Sequence, residues 1–271
     1  MNLKEIISST DSYNFHSHTQ FCDGRDTISD MASAAVDGGF THFGFSPHSP
    51  LAIPSPCNMK LSDVDAYKAL VAEADRRYAA ACRFYTGMEI DYLNPSWGPA
   101  SQLFADMGLD YAIGSVHFIR NRRGEYVDID GHFDSFKQKM AKYFDNDIRY
   151  VVEEFYRASN EMLAAGGFDI LGHFDKIAHN ASCYRPGIED EGWYIDLVNQ
   201  YISNIIASGI VVEINTKARE QHGRFFPAER YWRRLVEAGV PIAVNSDAHY
   251  ATRVNASRPE ALSILKSLRN G

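Results

Sequence analysis

The 271 residues, 45% of them hydrophobic and 13% aromatic, suffice for one large barrel or two small domains with a substantial core. A formal charge of −8 argues against electrostatic binding to nucleic acid or anionic membranes, while bound metal ions would reverse that sign locally for an anionic substrate. Met1–Thr10 has no apolar signal core, Ser208 and Glu213 interrupt the most apolar later stretch, and Cys22, Cys57, Cys82 and Cys183 form no CxxC pair, so a soluble cytoplasmic protein with reduced thiols is expected.

In chain order, a first strand is predicted over Tyr13–Phe15, running straight into His16-Ser17-His18, with Asp23 shortly after. A helix over Ile28–Gly38 leads to a strand at His42–Phe45 that ends at His48. A long helical segment, Leu61–Ala81, precedes the strand Phe84–Ile90, which carries Glu89. Helix Ala100–Met107 is followed by strand Tyr111–Gly114 and His117. Residues Phe118–Asp147 are longer and more polar than an ordinary βα connection, and read equally as a lid or as a surface excursion. Over Ile148–Ala165, Val151, Val152, Phe155, Ala158 and Met162 fall at helical spacing and give one apolar face. Strand Phe168–Leu171 ends at His173, helix Glu191–Ala207 follows, and strand Ile210–Ile214 and helix Ala228–Ala238 come next. Strand Pro241–Asn245 ends in Ser246-Asp247-Ala248-His249, before a last helix over Pro259–Leu268. Seven βα pairs without a composition break imply one domain, residues 1–271, built as an α/β barrel around a closed parallel sheet.

Residues two apart in a strand point to the same side, so each HxH or DxH can aim two ligands at one point. Histidine and aspartate recur at the ends of five strands and glutamate at a sixth, the end where barrel enzymes build their sites. So many polar groups gathered at one mouth are costly to bury without a charge to neutralise. The metal-ligand candidates are His16, His18, Asp23, His48, Glu89, His117, His173, Asp247 and His249. Nine ligands exceed one four-coordinate ion, so two or three divalent ions are expected, zinc first, with iron or manganese as alternatives. Glu89, with two oxygens to share, is the natural bridge. Adjacent metals would activate a shared water and clamp the attacking and leaving oxygens of a phosphoester or amide. Nucleotide loops, dinucleotide fingerprints and serine elbows are absent, and Cys22 lacks the loop of a cysteine phosphatase. His42, His132, His179 and His222 have no partner at ligand spacing and read as surface or packing residues, His222 being the strongest exception.

Taken together, these motifs resemble the polymerase-and-histidinol-phosphatase (PHP) superfamily, and most of all its histidinol-phosphate phosphatase branch. The pieces that carry the resemblance are His16-Ser17-His18-Thr19, Phe21-Cys22-Asp23-Gly24, Gly44-Phe45-Ser46-Pro47-His48, Gly87-Met88-Glu89-Ile90-Asp91-Tyr92, Ile113-Gly114-Ser115-Val116-His117, Ile170-Leu171-Gly172-His173, Glu213-Ile214-Asn215-Thr216 and Asn245-Ser246-Asp247-Ala248-His249. The resemblance implies a distorted seven-stranded (β/α) TIM-like barrel with a trinuclear metal site. His16, His18, Glu89 and Asp247 would hold one ion, Glu89, His117 and His173 a second, and Asp23, His48 and His249 a third. It further implies hydrolysis of L-histidinol phosphate to L-histidinol and phosphate, a step of histidine biosynthesis, by a metal-bridging hydroxide, with Glu89, Asp247 and His249 as catalytic groups. Another small phosphate monoester or a nucleotide remains the alternative substrate. The partner implied is a small-molecule phosphate ester, not nucleic acid or membrane, and the oligomeric state is left open. Arg219 is the first candidate to bind phosphate, because a guanidinium matches its geometry, with Arg185 and Lys176 behind it. Two departures from the family bear on substrate identity: Pro47 stands where relatives carry an acidic residue, and Glu220–Arg224 is unlike their Lys- and Gly-rich version.

Overall fold

The computed structural model describes residues 1–270. Nine strands occur in chain order: β1 (Tyr13–Asn14), β2 (His42–Phe45), β3 (Arg83–Asp91), β4 (Tyr111–Ser115), β5 (Phe118–Arg120), β6 (Tyr126–Asp128), β7 (Ile170–Leu171), β8 (Val211–Asn215) and β9 (Ile242–Asn245). Seven of them form one parallel sheet in the order β1-β2-β3-β4-β7-β8-β9, while β5 and β6 pair antiparallel as a separate hairpin. The seven sheet strands lie where the apolar runs place them, each end within one residue except at β7, which begins two residues later than expected.

The ladder does not pair β1 with β9. Side chains close that seam instead: Phe15 N donates to Asn245 Oδ1 (2.9 Å), and Asn14 Nδ2 donates to Ser246 Oγ (2.7 Å). A single bridge, Ser17 to Ala248, completes the closure just beyond both strands. The barrel is therefore held shut at the mouth, where β1 and β9 hand over to the ligand-bearing segments.

Inside, Phe15, Tyr85, Tyr111, Ile113, Ile170, Val211 and Ala243 form one apolar layer, and Leu3 and Ile7 of the N-terminal helix (Leu3–Ser9) pack against it. Tyr111 fills the floor because Gly44 and Gly87 leave room: a Cβ on either would lie 2.2 Å from the phenol. The period of two then sets the chemistry. Two residues above Ile113 and Val211, on the same strand face, stand Ser115 and Glu213. Apolar floor and polar mouth are consecutive layers of the same strands.

Around the sheet, helix Ile148–Ala165 matches its predicted bounds, started by Asp147, whose side chain accepts from Tyr150 N, and stopped at Gly166 (φ 69°). Asp63 precedes the helix Val64–Arg77 without a side-chain cap bond. Three short helices went unanticipated: Leu3–Ser9, Ile177–Tyr184 and Arg219–His222. Residues 118–147 hold the β5–β6 hairpin and helix Phe133–Tyr143, whose Phe136 and Met140 are buried. Ile129 N donates to His117 O (2.9 Å), and Asn180 Nδ2 donates to Ile129 O (3.2 Å), so this segment is fastened beside the mouth. Among the described residues no helix is long and apolar enough to cross a membrane.

Candidate metal centre

Each ligand candidate reaches the mouth by a local device. His18 N donates to Ala248 O (2.8 Å), tying the HxH segment to the one bearing Asp247 and His249. Asp23 returns toward His18 through a tight turn in which Cys22 N donates to Thr19 O (3.0 Å). Gly24 makes that turn possible, since a Cβ there would sit 2.3 Å from Thr19 N. His48 bridges to Glu89 across the β2–β3 edge. Asp247 has φ 49°, a left-handed conformation that costs a non-glycine residue energy and is characteristic of functional sites. Asn215 Nδ2 donates to Asp247 Oδ2 (3.0 Å) and fixes that carboxylate.

The structure brings all nine candidates together, with Glu89 at the middle. Glu89 Oε2 lies 3.3 Å from His16 Nε2, 3.5 Å from His18 Nε2 and 3.0 Å from His48 Nδ1. Its Oε1 lies 2.8 Å from His173 Nε2 and 3.6 Å from His117 Nε2, and accepts from Ser115 Oγ at 2.7 Å. One buried carboxylate thus faces five imidazoles. His18 Nε2 is also 3.1 Å from Asp247 Oδ1, and Asp23 Oδ1 is 3.3 Å from His249 Nε2 and 3.7 Å from His48 Nε2. Three groups have donor atoms mutually within 4.8 Å: His18, Asp23, His48 and His249; His16, His18 and Asp247; and His48, Glu89 and His117. These groups overlap the three sets implied by the resemblance without reproducing them: His18 and His48 each stand in two, Glu89 groups with His48 and His117 rather than with His16, His18 and Asp247, and His173 stands in none.

Buried and unpaired atoms test whether cations fit. His16 Nε2, His18 Nε2, His48 Nδ1 and Asp23 Oδ1 are all buried without a hydrogen-bond partner. Leaving such atoms unsatisfied is costly, and all four belong to this one cluster of nitrogen and oxygen donors free of thiolate. That donor set suits zinc, iron or manganese.

Behind the ligands stand two carboxylates that the sequence reading did not single out. Glu213 Oε1 lies 2.7 Å from His16 Nδ1, and Asp91 Oδ1 lies 2.7 Å from His117 Nδ1. A carboxylate on Nδ1 fixes the ring and turns the Nε2 lone pair toward the cluster. Glu213 is itself held by His173 N (3.1 Å), Asn245 Nδ2 (3.0 Å) and Asn215 Nδ2 (3.2 Å). Their inward strand positions, two residues from a ligand or from the apolar layer, are the signal that could have found them.

The charges are strongly coupled. Burial disfavours charge on Glu89, yet His16, His48 and His117 outweigh it and hold its carboxyl well below the usual range. Burial likewise opposes charge on Asp247, but Lys217, His16 and His18 keep it ionised. Burial, with His249 and His48 beside it, pushes His18 well down and leaves it neutral, as a ligand must be. For His117, burial is overcome by Asp91 and Glu89, which raise it to about 9. Divalent cations would take the place of the imidazole protons that balance these carboxylates, so binding would release protons.

The basic residues need a correction. Arg219, expected at the phosphate, turns away: its Nε donates to Glu260 Oε1 (3.0 Å) and its Nη1 to Gly223 O (2.7 Å). Arg185 pairs with Glu191 (2.8 Å) and lines neither cavity at the mouth. Both face carboxylates near them in the fold, which capture the guanidinium before it reaches the mouth. Lys176 does reach it, 3.5 Å from His117 Nε2 and paired with Asp130 (2.7 Å). Lys217, which the sequence reading passed over, lies 3.3 Å from Asp247 Oδ1 and 3.2 Å from His249 Nε2. Two cavities of about 660 and 750 Å³ open beside the cluster, and both ammonium groups line both of them.

The PHP domain family matches residues 14–217, the span that carries most of these groups. The chain belongs to the PHP family. It is 24% identical over 254 residues to the histidinol-phosphatase of Bacillus subtilis, covering 87% of this chain and 92% of that one. The PHP fold here superimposes on Listeria monocytogenes hisK with a TM-score of 0.82 at 16% identity, over 92% of this chain and 99% of that one. It superimposes on histidinol phosphate phosphatase of Lactococcus lactis, crystallised with zinc, L-histidinol and phosphate, with a TM-score of 0.70 at 17% identity, over 94% and 93% of the two chains.

Proposed function

We propose that this PHP protein is a metal-dependent phosphomonoesterase that hydrolyses L-histidinol phosphate to L-histidinol and phosphate. The observation that carries the reading is Glu89, a single buried carboxylate facing five imidazoles beside four unpaired donor atoms, at the mouth of two cavities lined by lysines. The histidinol-phosphatase named among its relatives, aligned along most of both chains, supports the substrate.

His16, His18, Asp23, His48, Glu89, His117, His173, Asp247 and His249 would hold two or three divalent ions, zinc first. Bound there, the ions would supply a water of lowered pKa and positive charge for the phosphoryl oxygens. The chain's own part is positional. Glu213 and Asp91 hold His16 and His117 by Nδ1, so each presents Nε2 inward. Lys217 and Lys176 flank the cluster, and their ammonium groups hold the phosphate dianion against it. Asp130 keeps Lys176 protonated and aimed into the cavity, since their ion pair outweighs the cost of burial and raises the lysine. Hydrolysis breaks the bond from phosphorus to the alcohol oxygen, and water supplies the proton for histidinol and the new oxygen on phosphate.

The test is a phosphate-release assay of the metal-reconstituted protein over histidinol phosphate and other small monoesters. Histidinol phosphate should have the highest kcat/KM. A ranking far below several other esters would remove the substrate assignment and leave the phosphoesterase.

A further inference from the structure

Six of the ten histidines enter the metal centre, and four do not. His42 is spent at the far end of the barrel, with Nδ1 2.9 Å from Tyr85 OH. The other three, His132, His179 and His222, come from three separate connections and yet line one cavity, the one of about 660 Å³ that begins at His173 and Asp247. The sequence gives no reason for such convergence, and a packing role does not require it.

The rings of His179 and His222 lie 4.0 Å apart, centroid to centroid, at 31°. Partial burial, and after it the neighbouring His222 and Arg224, hold His179 below the usual imidazole range, which leaves its ring a nitrogen free to accept a hydrogen bond. His179 stands on helix Ile177–Tyr184 after β7, and His222 ends the helix Arg219–His222 after β8. Gln221 adds an amide that donates and accepts, Phe133 and Phe226 supply apolar surface, and Asp134 adds a carboxylate. The size lies within the ordinary range for a small-ligand site, and the wall joins flat rings to a few polar groups. In the neighbouring cavity, Tyr126 has already donated its hydroxyl to Leu93 O (2.7 Å).

We infer that this cavity seats the organic part of the ester, with His179, His222 and Gln221 selecting a planar nitrogen heterocycle and Asp134 taking the amino group. The inference rests on the reading of the centre as a histidinol-phosphate phosphatase and names the residues that choose its leaving group. All four lie outside the ligand-bearing motifs: Gln221 and His222 in the Glu220–Arg224 segment that departs from the family pattern, His179 at a position that reads as surface or packing, and Asp134 in the stretch that reads equally as a lid or a surface excursion.

The experiment compares kcat/KM for L-histidinol phosphate with that for O-phosphoethanolamine, which keeps the amine and the phosphate but lacks the heterocycle. The Ki of L-histidinol as product inhibitor is measured alongside. In the double variant H179A/H222A the ratio should fall about tenfold or more and the Ki rise by a similar factor, the scale of one lost hydrogen bond with its stacking partner. Q221A should move both in the same direction by less, and it decides the matter if the double variant loses its fold. An unchanged ratio and Ki in these variants, or a ratio that moves with Y143A in the neighbouring cavity instead, overturns the inference while the phosphatase stands. A wild-type protein inactive on histidinol phosphate removes both.

Discussion

The inner and outer halves of the metal centre are built differently. His16, His18 and Glu89 have side chains that are 0%, 0% and 1% exposed, whereas Asp23, His48 and His249 are 29%, 13% and 12% exposed. On the inner side, Glu213 braces His16 and Asp91 braces His117. On the outer side, His249 Nδ1 meets the carbonyl (3.0 Å) and the carboxylate (3.4 Å) of Asp247, itself a ligand candidate, rather than a bracing carboxylate behind the cluster, and Asp23 arrives on a turn rather than a strand. Rigid strands with a second layer of carboxylates hold ligands more tightly than loops do. Ions bound on the inner side are therefore expected to exchange more slowly than ions bound on the outer side.

The largest effect should come from breaking the inner half at its centre. Glu89→Gln keeps the shape but removes the charge that five imidazoles face. With several kcal/mol of charge stabilisation at stake, turnover should fall by about 10³-fold. Elemental analysis should show less than the wild-type metal content. A variant retaining both turnover and full metal content would remove Glu89 from the residues that would hold the ions.

Next comes the brace behind the ligand. Glu213→Gln leaves four neighbours without their shared acceptor charge, and outer partners of this type are worth roughly 10- to 100-fold in metal affinity or activity. Adding excess zinc should restore part of the activity. If Glu213→Gln matched wild type in metal affinity, His16 would need no brace and the contrast between the halves would lose its cause.

The outer half should fail by losing metal rather than by losing fold. Timed chelation should release ions in two phases, the faster belonging to Asp23, His48 and His249. Asp23→Asn should abolish the fast phase and leave the slow one. A single phase in the wild-type protein would mean that exposure does not set the order of release.

The same contrast explains what could be read in the sequence. Strand positions and ligand candidates were legible because both follow a period of two: an apolar run ends, and the next same-face residues are His, Asp or Glu. All nine ligand candidates accordingly converge. Less legible was everything decided between distant segments. Glu213 and Asp91 sit inside quoted motifs, but only the packed barrel puts them 2.7 Å behind a histidine. The β1–β9 seam depends on Asn14, Asn245 and Ser246, whose polar side chains carry no strand signal. Residues 118–147 were too polar to show the hairpin, although Phe136 and Met140, four apart, do mark the buried face of its helix.

The smallest effect separates two basic residues only two positions apart. Lys217 leaves β8 on the side of the mouth and stands beside Asp247 and His249. Arg219 begins the following short helix and is captured by Glu260, from the C-terminal helix, and by Glu229. Lys217→Ala should raise KM for the ester by about tenfold, the scale of one charge-assisted hydrogen bond to phosphate. Arg219→Ala should change kcat/KM by no more than about twofold, because an exposed ion pair contributes little and none of its atoms meets the cavity. The sequence favoured Arg219 for the shape of its guanidinium, but reach decides before shape does: a fork that matches phosphate is of no use when two carboxylates hold it elsewhere. Steady-state kinetics on the two single variants distinguish these outcomes, and a larger loss in Arg219→Ala than in Lys217→Ala would return the phosphate to the arginine.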